Sequence, residues 1–130
     1  LRPLDLSILP DTFAISRLEP SSAVPHWAAA GELSAVTRTA SELSIVSRQD
    51  EVPAVVTANR GWRAVRVAGP IDFSLTGILA SLATPLADAA IPIFAVSTHD
   101  TDYVLVREDD LGQAVAALAA AGHRFLEHEP

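Results

Sequence analysis

Thr98, His99, Asp100 and Asp102 stand close together in the stretch IPIFAVSTHDTDYVLV, residues 91–106. Hydroxyl, imidazole and carboxylate groups of this kind ligate divalent ions or carry acid–base chemistry. A strand, however, sends adjacent side chains to opposite faces, and no second cluster of His, Asp or Glu offers the remaining ligands. Asp11 and the pair Asp109-Asp110 read as turn and cap residues. No metal site is therefore expected. Catalysis has as little to build on, since the chain has no Cys and no nucleophile-elbow pattern around any Ser. A phosphate loop at Gly61 or Gly69 fails for want of a Gly-rich run ending in Lys, a residue the chain lacks altogether. The HDTD string is expected to be a hairpin turn, with Thr98 and Asp102 its members best placed to touch a ligand.

A second candidate is the loop Gly69-Pro70-Ile71-Asp72-Phe73-Ser74-Leu75-Thr76-Gly77, which precedes a helix-like pattern. A helix N-terminus presents backbone N–H groups and partial positive charge, which suits a carboxylate. Ser74 and Thr76 add hydroxyls, and Gly77 permits close approach. The plainer reading is helix capping by Asp72 or Ser74, with Gly77 present for packing. His26-Trp27 can stack on a ligand, though a Trp beside Pro25 is more often core or interface.

The elements that would position these residues follow from periodicity. Trp62–Val67 alternates as a strand with one buried face. Leu75, Ile78, Leu79, Leu82 and Leu86 form an amphipathic helix stripe, which Pro85 should kink or end. Ile91–Ser97 and Tyr103–Val106 are strands. A final helix opens at Asp110, with Gln113 at capping-box spacing, and stops at Gly122; His123–Glu127 reads as a last strand. The order is β-α-β-β-α-β, the ferredoxin-like split motif of the α+β class, with an antiparallel sheet and helices on one face.

Ala35–Val46 also matches Ala95–Val106 at an offset of 60, which points to two related units, 1–58 and 61–130. The first is abbreviated: strands are readable near 3–9, 33–39 and 42–47, but Phe13–Leu18 alternates like a strand where the second unit has its long helix. Only a short helical turn fits near His26–Ala30.

Nine basic against sixteen acidic residues give a net charge of −7, the wrong sign for nucleic acid or an anionic membrane. No apolar run reaches transmembrane length and no signal pattern opens the chain, so a cytoplasmic protein is expected.

The unit order, the repetition and the strings GPIDFSLTGILASLATPLADAAIPIFAVSTHDTDYVLV and ELSAVTRTASELSIV resemble the paired ACT domains of small bacterial proteins, which are similar to the CASTOR arginine-sensor family. The resemblance implies a regulatory or sensing protein without catalysis or cofactor, holding a free amino acid at the interface between ACT units. It further implies a homo-oligomer, and ligand contacts at Asp72, Phe73, Ser74, Leu75, Thr76, Gly77, Thr98, His99 and Asp102. An acidic residue at Asp102 favours a cationic or polar ligand. Two ACT-like units stand where those sensors have four, and Ala90 replaces the Gly common before the second strand. The rival reading is a structural dimerisation module without ligand, whose sheet edges pair.

Overall fold

The computed structural model describes residues 3–72 and 76–126. Alternating apolar and polar residues build the strands β1 (Asp5–Ile8), β2 (Phe13–Leu18), β3 (Ala35–Arg38), β4 (Leu43–Arg48), β5 (Thr57–Val67), β6 (Ile93–Ser97), β7 (Asp102–Arg107) and β8 (Arg124–Phe125). The helices are α1 (Ile78–Asp88) and α2 (Leu111–Ala120), joined by 3-10 turns at His26–Ala29, Gln49–Glu51 and Glu108–Asp110. The chain divides into two units: Pro10–Trp62, and the segment ending at Leu9 together with the segment starting at Arg63. The division falls inside β5, next to a register shift against β2 at which Gly61 takes a φ of 84°. A residue without Cβ accommodates such a bulge at little cost.

Each unit runs strand–helical turn–strand–strand–helical turn–strand. In residues 10–62 the order across the sheet is β3-β4-β2-β5, all antiparallel. The other unit has the order β6-β7-β5-β1-β8, with α1 after β5 and α2 before β8. This is the ferredoxin-like split motif of an α+β protein, with one extra strand. That strand is β1, antiparallel to β5 (Leu6↔Val67) and parallel to β8 (Leu6↔Phe125). Leu4 and Leu6 alternate onto the helix side and join Val65, Val67, Leu82, Leu86, Val104 and Leu118 in one buried core. Full burial of each such side chain favours folding by roughly 1.5–3 kcal/mol.

The expected division at 58–61 placed the strand near 3–9 in the first unit and left Phe13–Leu18 in a helix's place. In the structure Phe13–Leu18 is the leading strand of its unit, and β1 serves the other. The offset also differs. Hairpin β3–β4 closes at Arg38↔Leu43 and hairpin β6–β7 at Ser97↔Asp102, so the two superimpose at 59, not 60. Thr39 and Thr98 then coincide. Each Oγ1 accepts from the N–H groups two and three residues on, 3.1 Å to both for Thr39, 3.3 and 3.2 Å for Thr98. A slip of one residue exchanges the two faces of a strand, so the offset of 60 aligns residue types but not orientations.

Pro85 does not end α1, which runs on to Asp88. Lacking an N–H, proline leaves the carbonyl four residues back without its helical donor. That carbonyl is Ser81 O, and the buried His123 ring donates to it from Nε2 at 3.0 Å. On the other side Nδ1 accepts the Leu4 N–H at 3.1 Å, which fixes the ring as the Nε2–H tautomer. His123 therefore ties β1 to the interrupted helix.

Both helices end in the same motif. After α2, Gly122 N donates to Ala119 O and His123 N to Leu118 O; after α1, Ala90 N donates to Ala87 O and Ile91 N to Leu86 O. The left-handed residue is Gly122 (φ 102°) in one case and Ala90 (φ 61°) in the other. A Cβ in this region costs about 1–2 kcal/mol, partly offset by the greater chain entropy of Gly when unfolded. Ala90→Gly is therefore expected to stabilise the protein by about 0.5–1 kcal/mol in urea unfolding. Asp110 occupies the N-cap of α2 but makes no side-chain cap hydrogen bond, contrary to the capping-box expectation. Its helical φ and ψ of −93° and −5°, imposed by the preceding 3-10 turn, depart from the extended geometry that capping uses.

Candidate functional site

The β6–β7 turn and the loop after β5 meet at a corner of the second unit. Thr101, buried, donates from Oγ1 to Val67 O at 2.6 Å, and Ile71 N donates to Asp100 O at 2.6 Å. Gly69 lies under this seam, where an added Cβ would stand 3.1 Å from Thr101 Cβ and 3.2 Å from Asp100 O. The turn is stiffened by Thr98, whose N–H and Oγ1 both donate to Thr101 O, at 2.8 and 3.1 Å.

Between seam and helix lies a cleft of about 320 Å³. Of the residues the sequence singled out, Asp72, Gly77, Thr98, His99 and Asp102 share its wall. Thr76 is described but does not line it, and Phe73, Ser74 and Leu75 lie outside the described residues. The Thr98 hydroxyl is engaged in the turn, so its part is to shape the wall. His99 is highly exposed and sits 2.8 Å from Asp100 through Nδ1. Asp102 is half-buried at the start of β7.

The N-cap of α1 is Gly77, in the left-handed conformation, and Gly77 has no side chain to offer the first-turn N–H groups, while the expected cap Ser74 lies outside the described residues. Gly77, Ile78 and Leu79 line the cleft, so it combines a helix N-terminus, an apolar patch and three carboxylates (Asp72, Asp100 and Asp102). The first feature suits a carboxylate, the second an alkyl chain, and the third a cation.

Sequence reasoning gave Thr101 no role. Its type and its polar neighbours marked it as one more turn residue, and only the contact with Val67 O distinguishes it. Among the described residues no group of three or more His, Asp and Glu side chains converges as a metal site. A second recess of about 290 Å³, lined by Pro10, Asp11, Thr12, Arg48, Gln49 and Asp50, spends its polar groups internally. Arg48 pairs with Asp50 at 2.7 Å, Asp11 accepts Glu32 N, and Gln49 accepts Gly61 N. No helix among the described residues is long and apolar enough to cross a membrane.

The ACT domain family matches residues 57–120, and a separate N-terminal-domain family matches residues 11–55. The human and bovine proteins named cytosolic arginine sensor for mTORC1 subunit 1 are 40% identical over 67 residues, 49% of this chain and 20% of theirs. The chain thus spans about a fifth of the length of these relatives. A solved structure from Agrobacterium tumefaciens is 42% identical, covering 99% of this chain and 97% of that one, with a TM-score of 0.93. Aspartokinase III of E. coli, solved with aspartate and ADP, shares the fold at 13% identity over 90% of this chain and 33% of that one, with a TM-score of 0.62.

Proposed function

The chain belongs to the ACT-domain family and is related to the cytosolic arginine sensors, and from that premise we propose that it is a non-catalytic regulatory module that senses a free amino acid. The observation that carries the proposal is the cleft beside Gly77, whose wall brings together a helix N-terminus, an apolar patch and a set of carboxylates. A zwitterion with a cationic side chain matches that set of groups. Its α-carboxylate meets the first-turn N–H groups of α1, its alkyl portion rests on Ile78 and Leu79, and Asp102, with Asp72 and Asp100 nearby, faces the side-chain charge. The kinship with proteins named as arginine sensors supports the same ligand class. A second copy laid over the open side of the cleft would complete the enclosure, which makes the working form a homo-oligomer.

A thermal-shift screen of the twenty amino acids tests this. Binding only to the folded chain stabilises it by about 2.7 kcal/mol at a hundredfold excess over Kd. A cationic amino acid is expected to raise Tm by several degrees, and Asp102→Asn to weaken it at least about tenfold through loss of a charge-assisted contact. A flat screen on folded protein overturns the proposal in favour of an assembly role.

A further inference from the structure

The first unit has a corner equivalent to that of the second, and arginine side chains bridge it. With the hairpins superimposed at 59, Ser41 coincides with Asp100 and Arg38 with Ser97. In the second unit Asp100 O accepts the Ile71 N–H from the loop after the leading strand. In the first, Ser41 O instead accepts Arg17 Nη2 at 2.9 Å. Arg38 continues the pattern: Nη1 donates to Pro20 O and Nη2 to Ser22 O, the latter at 2.9 Å. Both acceptors lie in the loop that follows the leading strand β2, the counterpart of the loop that walls the cleft in the other unit. The position of Arg38 is taken there by Ser97, which lines the open cleft.

We infer that residues 10–62 carry a latent guanidinium-binding site, built from the carbonyls of Pro20 and Ser22 and occupied by the chain's own Arg38. Carbonyl oxygens held in one loop are neutral acceptors matched to a planar fork of N–H donors, a geometry that lysine does not reproduce. The first unit therefore holds its site shut with a tethered group, and the second leaves its corner open. This inference does not depend on what the open cleft binds.

Arg38→Ala tests it. Arg38 is an exposed residue, so truncation leaves no core cavity. Methylguanidinium chloride is titrated into the wild type, Arg38→Ala and Arg38→Lys, following backbone amide resonances and Tm. The expected result is a Tm loss of roughly 3 °C in Arg38→Ala, regained as the probe is added. Saturable shifts should appear at Ser21, Ser22 and Ala23 in that variant and in Arg38→Lys, whose ammonium does not form the fork, and be absent from the wild type. Shifts of equal size in wild type and Arg38→Ala, or none in either, overturn the inference. A flat amino-acid screen at the other corner leaves it standing.

Discussion

Replacing His123 with Ala is expected to lower the unfolding free energy by about 3 kcal/mol, because two buried backbone groups lose their partners at once. The Leu4 N–H loses its acceptor and Ser81 O loses the donor that Pro85 made necessary. Urea unfolding gives the size of the loss, and a double-mutant cycle gives its cause. Pro85→Ala restores an N–H at the position that normally serves Ser81 O. In that background His123→Ala should cost about 1 kcal/mol less than in the wild type. Additive losses would show that the bond from Nε2 to Ser81 O does not compensate for Pro85. The wild-type pairing of an interior helix proline with a distant histidine is thus expected to be energetically coupled across a wide gap in sequence.

The second large effect is expected at Gly69. Its would-be Cβ meets Thr101 Cβ at 3.1 Å and Asp100 O at 3.2 Å, and neither neighbour is free to yield. Thr101 is buried and bonded to Val67 O, while Asp100 O is bonded to Ile71 N. Overpacking against pinned atoms costs about 1–3 kcal/mol. Gly69→Ala is expected to unfold at lower urea with an unchanged m value and to lose the thermal-shift response at the cleft, since seam and wall are one structure. Retention of both stability and response would show that the seam gives way cheaply. Thr101→Val, which keeps the volume but removes the hydroxyl, should lose about 1–2 kcal/mol by leaving Val67 O without this donor.

Much of the second unit was legible because its elements obey simple periods. Alternation marked β5 through Val67, and the stripe of Ile78, Leu79, Leu82 and Leu86 marked α1. The turn at HDTD followed from its two flanking strands. The place of β1 was not legible. A short strand's alternation tells which of its faces is apolar, but not which partner supplies the sheet. The repeat was seen but misregistered by one, because Ala, Val and Thr recur on both faces of these strands and a shifted alignment scores almost as well. The cap of α2 was misjudged for a related reason: Asp110 is a good capping type, yet capping also demands an extended backbone at that residue. Of the site, the hairpin turn and the first turn of α1 were foreseen as neighbours, whereas Thr101 and the plug at Arg38 depend on contacts that no local pattern encodes.

The interleaving of β1 sets a timetable for synthesis. Strands β2, β3, β4 and the first half of β5 are consecutive products of translation and can pair as soon as they leave the ribosome. The segment Asp5–Ile8 emerges earlier than all of them, yet its neighbours Val65–Val67 and Arg124–Phe125 come much later. Until Arg124 and Phe125 arrive, one side of β1 offers unpaired amide and carbonyl groups beside Leu4 and Leu6, a vulnerable edge for a nascent chain. Arrival of β8, with His123 just before it, therefore completes the pairing of β1, and a holdase acting on this protein would find its target in Asp5–Ile8.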